Sequence, residues 1–467
     1  MPQRKLDSLS PLDGRYADKA EPLNGFMGDA ALTRGRALVE CRYLIKLAGT
    51  PGTGLRRLKA AEKALLEKLP RLSDADVALI YAIENEGAAG RPPTRHDVKS
   101  VEYFIKDRLA GTSLKDLAEF VHFGLTSEDV NNLSYALMLR DGLKEGLLPA
   151  LDSILKELDR LALAHAADPL LARTHGQPAV PTTFGKEFRV FHARLLRQYR
   201  QLDRAGICAK LNGAAGNYNA HTAAFPKADW PRFSEEFIGS FNTGKGPRLE
   251  YNPYTTQIEP HDSYAEVFDA LRRANTVLLA FCQDMWRYIS AELVVQKAVK
   301  GEIGSSTMPQ KVNPIQFENA EGNLGMANAM LGFFSSKLPV SRLQRDLSDS
   351  TVERNFGAAF GHCLVAYRSV LAGLSRVSVN PAAARAELER HPEVVAEGVQ
   401  TILRREGAAK PYEQLCALTR GRGVTPENLR SFADGLDMRP AVKAEIKRLS
   451  PLNYTGLAER LAKGKEA

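Results

Sequence analysis

Cysteine is scarce in this chain of 467 residues: Cys41, Cys208, Cys282, Cys363 and Cys416 are odd in number, widely scattered and form no CxxC pair. A disulfide scaffold and a cysteine-based metal site are thereby excluded, and reduced thiols are expected. Long apolar runs are missing as well. The longest uncharged stretch with real apolar content, Gly322 to Ser336, falls short of the roughly 20 residues that cross a bilayer, so no membrane partner is expected. Runs of five or more basic residues, RGG tracts and zinc-finger spacings are absent too. The formal charge of +8 therefore suits small anionic substrates, and no nucleic-acid partner is expected. The opening segment MPQRKLDSLSPLDGRY carries charges at positions 4, 5 and 7 and no apolar core; no secretory signal reads there, and the cytoplasm is the expected compartment. Alternating β-branched runs of useful length do not occur, which leaves little room for sheet.

What the chain does contain is helix. Val267, Leu271, Ala274, Leu278, Phe281, Met285 and Tyr288 recur in alternating steps of four and three, predicting one long helix from about Ser263 to Lys297. A second seam reads Phe184, Phe188, Phe191, Leu195, Tyr199, Leu202; a third runs from Val130 to Leu161, with Pro149 expected to kink it. Between them, Arg173 to Pro181, Asn212 to His221, Asn252 to His261 and Gly301 to Pro314 are rich in Gly, Pro, Thr and His without periodicity and read as loops at helix ends. The expected fold is all-α with three helical domains: residues 1–115, a central long-helix bundle over 116–370, and 371–467. Seams this long argue for burial against further copies of the chain.

Chemistry concentrates in the loops. Gly301-Glu302-Ile303-Gly304-Ser305-Ser306-Thr307-Met308-Pro309-Gln310-Lys311-Val312-Asn313-Pro314 joins backbone N–H groups and hydroxyls with a cation and an amide donor, a set suited to an anion. This GSSxMPxKxNP pattern is similar to the signature of the fumarase/aspartase superfamily, whose members break a C–N or C–O bond by β-elimination and release fumarate. The remainder resembles the adenylosuccinate lyase family, bacterial branch, through SPLDGRY (Ser10 to Tyr16), RHDVKSVEYF (Arg95 to Phe104), HFGLTSEDVNN (His122 to Asn132), RTHGQPAVPTT (Arg173 to Thr183), NGAAGNYNAH (Asn212 to His221), NPYTTQIEPHD (Asn252 to Asp262) and SRLQRDLSDSTVERN (Ser341 to Asn355). The resemblance covers roughly residues 8 to 460.

Elimination of an amine from a succinyl group removes a carbon-bound proton beside a carboxylate and doubles the charge there. Cationic and N–H donors must surround that charge; Lys311, Asn313, Thr126, Ser127 and the GSS amides are suitable. The leaving nitrogen needs an acid, for which histidine serves near neutral pH. The resemblance implies His175 as proton donor, Ser305 as proton acceptor, and His96 and Lys311 as further catalytic residues, with His122 ranked below His96. It implies substrate contacts at Arg15, Tyr16, Arg95, His96, Asp97, Thr126, Ser127, Thr174, Gln257, Ser306, Met308, Lys311, Asn313, Arg345, Ser350 and Arg354. Arginines and hydroxyls at Arg15, Tyr16, Arg345, Ser350 and Arg354 are the donors a phosphate clamp uses, favouring a succinylated purine nucleotide over a free dicarboxylic acid. A homotetramer with composite sites, no cofactor and no metal are implied likewise.

Gln310 departs from the histidine usual in the family and matches argininosuccinate lyase, which remains the alternative enzyme. Arg95 replaces an asparagine, and Asn242 to Glu250 is a few residues longer than usual. A non-catalytic protein on the same scaffold is the alternative of another class, against which the joint presence of His175, Ser305, Lys311 and Asn313 speaks.

Overall fold

The computed structural model describes residues 7–297, 307–308, 310–419 and 424–464, apart from the side chains of 418 and 419. Described residues are mostly helical, with 62% helix and 6% strand. The chain forms two compact units: residues 1–152, 197–276 and 322–368 in the first, and 153–196, 277–321 and 369–467 in the second. No described helix is long and apolar enough to cross a membrane.

The seams become helices over Phe184–Asp203 and Asp262–Ser290. The latter stops earlier than the periodicity predicts. Glu292 turns left-handed (φ +60), the Leu293 N–H donates to the Tyr288 carbonyl at 3.0 Å, and Val294–Gln296 then pairs antiparallel with Val377–Val379. The β-branched valines favour that extended ribbon over further helix. The third seam is two helices, Ser127–Asp141 and Leu148–Ala164, joined by a π-helical turn over Gly142–Leu147. Pro149 has no N–H to give and its ring crowds the carbonyl of Glu145, so the ladder widens in the turn before it.

In the first unit, Val101, Phe104, Ile105 and Leu109 place one face of Asp97–Ala110 against Ala37, Cys41 and Leu44 of Asp29–Leu47, with Val77, Ile80 and Ile83 closing the core. That packing fixes where this helix starts, and hence where His96 and Asp97 stand. In the second unit, Phe191 meets Phe281 edge to face at 5.2 Å between ring centres, and Phe184 meets Tyr288 at 6.2 Å. A separate cluster there joins Leu171 to Leu388, Val395, Val399 and Leu403.

The stretch Arg173 to Pro181, expected as a loop, lies in a β-hairpin. Pro169–Thr174 pairs antiparallel with Gln177–Thr183, with an irregularity between Leu171 and Arg173. Pro178 and Pro181 hid it from the sequence reading. A two-stranded ribbon tolerates proline because every strand in it is an edge. Leu170, Leu171, Thr182 and Thr183 bury its base.

Candidate active site

His175 and Gly176 are the two central residues of that hairpin, between the paired Thr174 and Gln177. Both have positive φ, +53 and +75, as a two-residue type I′ turn requires. Glycine adopts this freely, whereas histidine does so at a cost. The turn leaves Thr174 and His175 exposed at the tip. Arg173 is tied to Glu387 by an ion pair within the same unit, which anchors the strand that carries the tip.

In the same unit, Lys311 is exposed and Asn313 half-buried, just ahead of the helix Ile315–Lys337. The Lys311 N–H donates to the Met308 carbonyl at 3.1 Å, and the amide of Gln296 donates to the Val312 carbonyl at 2.8 Å. Met308 is 44% exposed. Ser305 and Ser306 lie outside the described residues.

The first unit gathers most of the remaining candidates. His96 caps the helix Asp97–Ala110, its Nδ1 accepting from the Lys99 N–H at 3.3 Å. A neutral ring accepting at Nδ1 carries its proton on Nε2, which faces Ser127 Oγ at 3.4 Å. Thr126 and Asp129 form a capping box at the start of Ser127–Asp141, aligning the free N–H groups of its first turn. Asp97 pairs with the buried Arg36 at 2.7 Å and with Arg354 at 3.0 Å. Burial opposes the charge on Asp97, but Arg36, the Val98 N–H and Arg354 hold its carboxyl below the usual range. Arg345 Nη1 donates to Gln257 Oε1 at 3.5 Å.

Arg345 Nη2 also lies 3.0 Å from Oε2 of Glu128, the residue after Ser127, so His96, Asp97, Thr126, Ser127, Gln257, Arg345 and Arg354 are linked by direct contacts or short sequence steps. Arg354 also borders a cavity of about 510 Å³ enclosed partly by Ser10, Leu12 and Asp13 of the N-terminal segment. Arg15 and Arg95 are exposed, the latter at φ +52, and Tyr16 is half-buried beside Leu12, Ala20 and Val365. Ser350 is half-buried in the helix Ser348–Glu353, its N–H donating to Asp349 Oδ1 at 2.6 Å. His122 is held at 2.5 Å by Glu40. Burial disfavours its proton, yet Glu40 raises its pKa.

Several supporting residues escaped the sequence reading. Lys210 is fully buried, with Nζ bonded to the carbonyls of Gly213 at 2.9 Å and Gln257 at 2.8 Å and paired with Asp129 Oδ1 at 3.0 Å. Asp129 in turn accepts the Asn212 N–H at 3.0 Å. One buried ion pair therefore ties the Thr126–Ser127 helix start to the Gln257 segment. A lone lysine within the apolar run Ile207 to Leu211, and the T-x-x-D spacing of Thr126 and Asp129, were the available signals.

Residues 52–330 match the family model described as Lyase, and this match defines the class: a helical lyase. The fold agrees, since the structure aligns with the 3-carboxy-cis,cis-muconate lactonizing enzyme from Pseudomonas putida at TM-score 0.68 and 22% identity, over 94% of each chain. Residues 341–455 match the model described as Adenylosuccinate lyase C-terminal. Adenylosuccinate lyase of Haemophilus influenzae is 48% identical over 98% of each chain, that of Escherichia coli K12 48% over 97% of each, and that of Dictyostelium discoideum 43% over 97% of each. The chain belongs to the adenylosuccinate lyase family.

Proposed function

We propose that the chain cleaves adenylosuccinate to AMP and fumarate, and likewise the succinylated aminoimidazole carboxamide ribotide to its amide and fumarate, in the cytoplasm and without metal or cofactor. The observation that carries this is identity of 48% along the whole length to adenylosuccinate lyases, together with the donor set above. Ser305, its oxygen made alkoxide-like by Lys311 and the loop amides, takes the carbon-bound proton. Its electron pair becomes the fumarate double bond as the C–N bond breaks, and protonated His175 gives its proton to the departing nitrogen. Lys311, Asn313 and the loop amides meet the doubly charged carboxylate formed on the way. Arg15, Tyr16, Arg345, Ser350 and Arg354 hold the nucleotide phosphate or a substrate carboxylate, and Arg95, His96, Asp97, Thr126, Ser127, Thr174, Gln257, Ser306 and Met308 make further substrate contacts.

Self-association supports the same reading. On the helix Ile315–Lys337, Met326 and Phe333 are each 55% exposed, as expected of a helix that another copy covers. His175 and Lys311 are exposed as well, and sites sheltered from water strengthen every charge interaction within them. A tetramer whose sites combine several copies meets both needs.

Turnover of adenylosuccinate, followed by absorbance, should exceed that of argininosuccinate by at least about a hundredfold, since a site built for one set of polar groups rejects a substrate lacking them; comparable rates would reverse the assignment. Ser305→Ala tests the base separately. Turnover should fall by more than about tenfold, whereas catalysis kept within that limit with weakened substrate affinity would leave Ser305 as a binding residue only.

A further inference from the structure

Beneath the Gln257–Arg345 contact lies a group of buried ionisable side chains to which neither the resemblance nor the proposed mechanism gives a role. Glu128, second residue of the helix Ser127–Asp141, is fully buried, and neither of its carboxyl oxygens has a hydrogen-bond partner. Its Oε2 lies 3.0 Å from Arg345 Nη2, an ion pair by distance without the direction of a hydrogen bond. Arg345 Nε is 3.5 Å from the buried Asp349. Glu353 stands 3.3 Å from His261 Nε2, both of them buried. The hydroxyls of Tyr135 and Tyr264 border the same group.

Fully ionised, Glu128, Asp349 and Glu353, with Glu259 accepting the His261 backbone N–H, face one guanidinium and one imidazolium, leaving negative charge in excess among buried groups. Burying an uncompensated charge is costly, and the usual relief is a proton. We propose that Glu128 is a positioning residue that works in its protonated form: neutral, it leaves Arg345 available to an anionic group of the substrate; ionised, it captures that guanidinium and repels the anion. The proposal rests on the reading of Arg345 and Gln257 as substrate contacts.

The titration agrees with the geometry. Burial, and then repulsion from Glu353 and Asp349, outweigh attraction by Arg345 and His261 and push the Glu128 carboxyl up to about 8. Burial opposes a proton on His261, but Glu353, Glu259 and Glu128 raise it to about 9. Around neutral pH the proton therefore sits on Glu128 while His261 stays charged opposite Glu353. As pH rises through about 8, Glu128 ionises and affinity for an anion falls.

The test is KM and kcat for adenylosuccinate from about pH 7 to about pH 9.5, for the parent chain and Glu128→Gln. The parent's KM should rise on the order of tenfold over that range. Glu128→Gln, which mimics the neutral acid, should keep KM within about threefold. An equal rise in both proteins, or no rise in the parent, overturns the proposal. Should the variant not fold, calorimetric titration of the parent with AMP near pH 8.5 in two buffers of different ionisation enthalpy decides: net proton uptake is expected, and none overturns it. Absence of any adenylosuccinate turnover by the parent would instead remove the substrate reading itself, and this proposal with it.

Discussion

His175→Ala should lower kcat for adenylosuccinate by about 10²–10⁴-fold, the contribution general acids make, with a much smaller change in KM. The expectation rests on a specific placement. Histidine stands at the tip of a two-residue turn, in a left-handed conformation at φ +53 that an asparagine or glycine would adopt more easily. The strands below are anchored by buried Leu170 and Leu171 and by the Arg173–Glu387 pair, so truncating the ring removes the acid while leaving the hairpin intact. Measured rates for the variant and parent at equal chain concentration, with circular dichroism to confirm unchanged helix, check this. Unaltered turnover would remove His175 from the mechanism.

The second large effect concerns stability. Lys210→Met should destabilise the protein by about 3–5 kcal/mol, the loss seen when one member of a buried ion pair is removed and the other stays charged. Methionine matches the length of the lysine stem, so packing is largely kept and the change isolates the charge. Asp129 would then be left buried with backbone N–H groups as its remaining donors, and the Gly213 and Gln257 carbonyls would lose the ammonium that holds them together. The urea midpoint and slope at one fixed chain concentration report the difference. A shift of less than about 1 kcal/mol would mean that the pair is solvated or dispensable.

Much of the fold could be read from the sequence for simple physical reasons. The aromatic and leucine seams were long enough for a period of 3.6 to be unmistakable, and the helices Phe184–Asp203 and Asp262–Ser290 follow them. Ends were harder. Val294 and Val295 continued an apolar pattern that a helix could have used, and only pairing with Val377–Val379, far away in sequence, draws them into a strand. The hairpin carrying His175 was hidden by its prolines, although Thr-His-Gly-Gln is short enough to be a turn. Its register depends on partners such as Leu171 and Pro181 that no local rule connects.

Candidate site residues divide in the same way. His96, Ser127 and Arg345 stood out because they lie in motifs shared with the family, RHDVKSVEYF, HFGLTSEDVNN and SRLQRDLSDSTVERN. Arg36, Glu128 and Lys210 did not, because each sits within a helix or an apolar run where a single charged residue resembles a solvated one. Their burial is a product of tertiary packing alone. Ser305 and Ser306, the centre of the sequence argument, lie outside the described residues, so mutagenesis bears on them directly.

A crystal structure with AMP and fumarate bound together tests most directly whether donors from separate segments surround a succinate-derived dianion. Lys311 Nζ and the Asn313 amide should lie within about 3.2 Å of one fumarate carboxylate, a hydrogen-bond distance, with the His175 ring beside the purine amine. Fumarate seated elsewhere, with Lys311 and Asn313 more than a water layer away, would contradict the account.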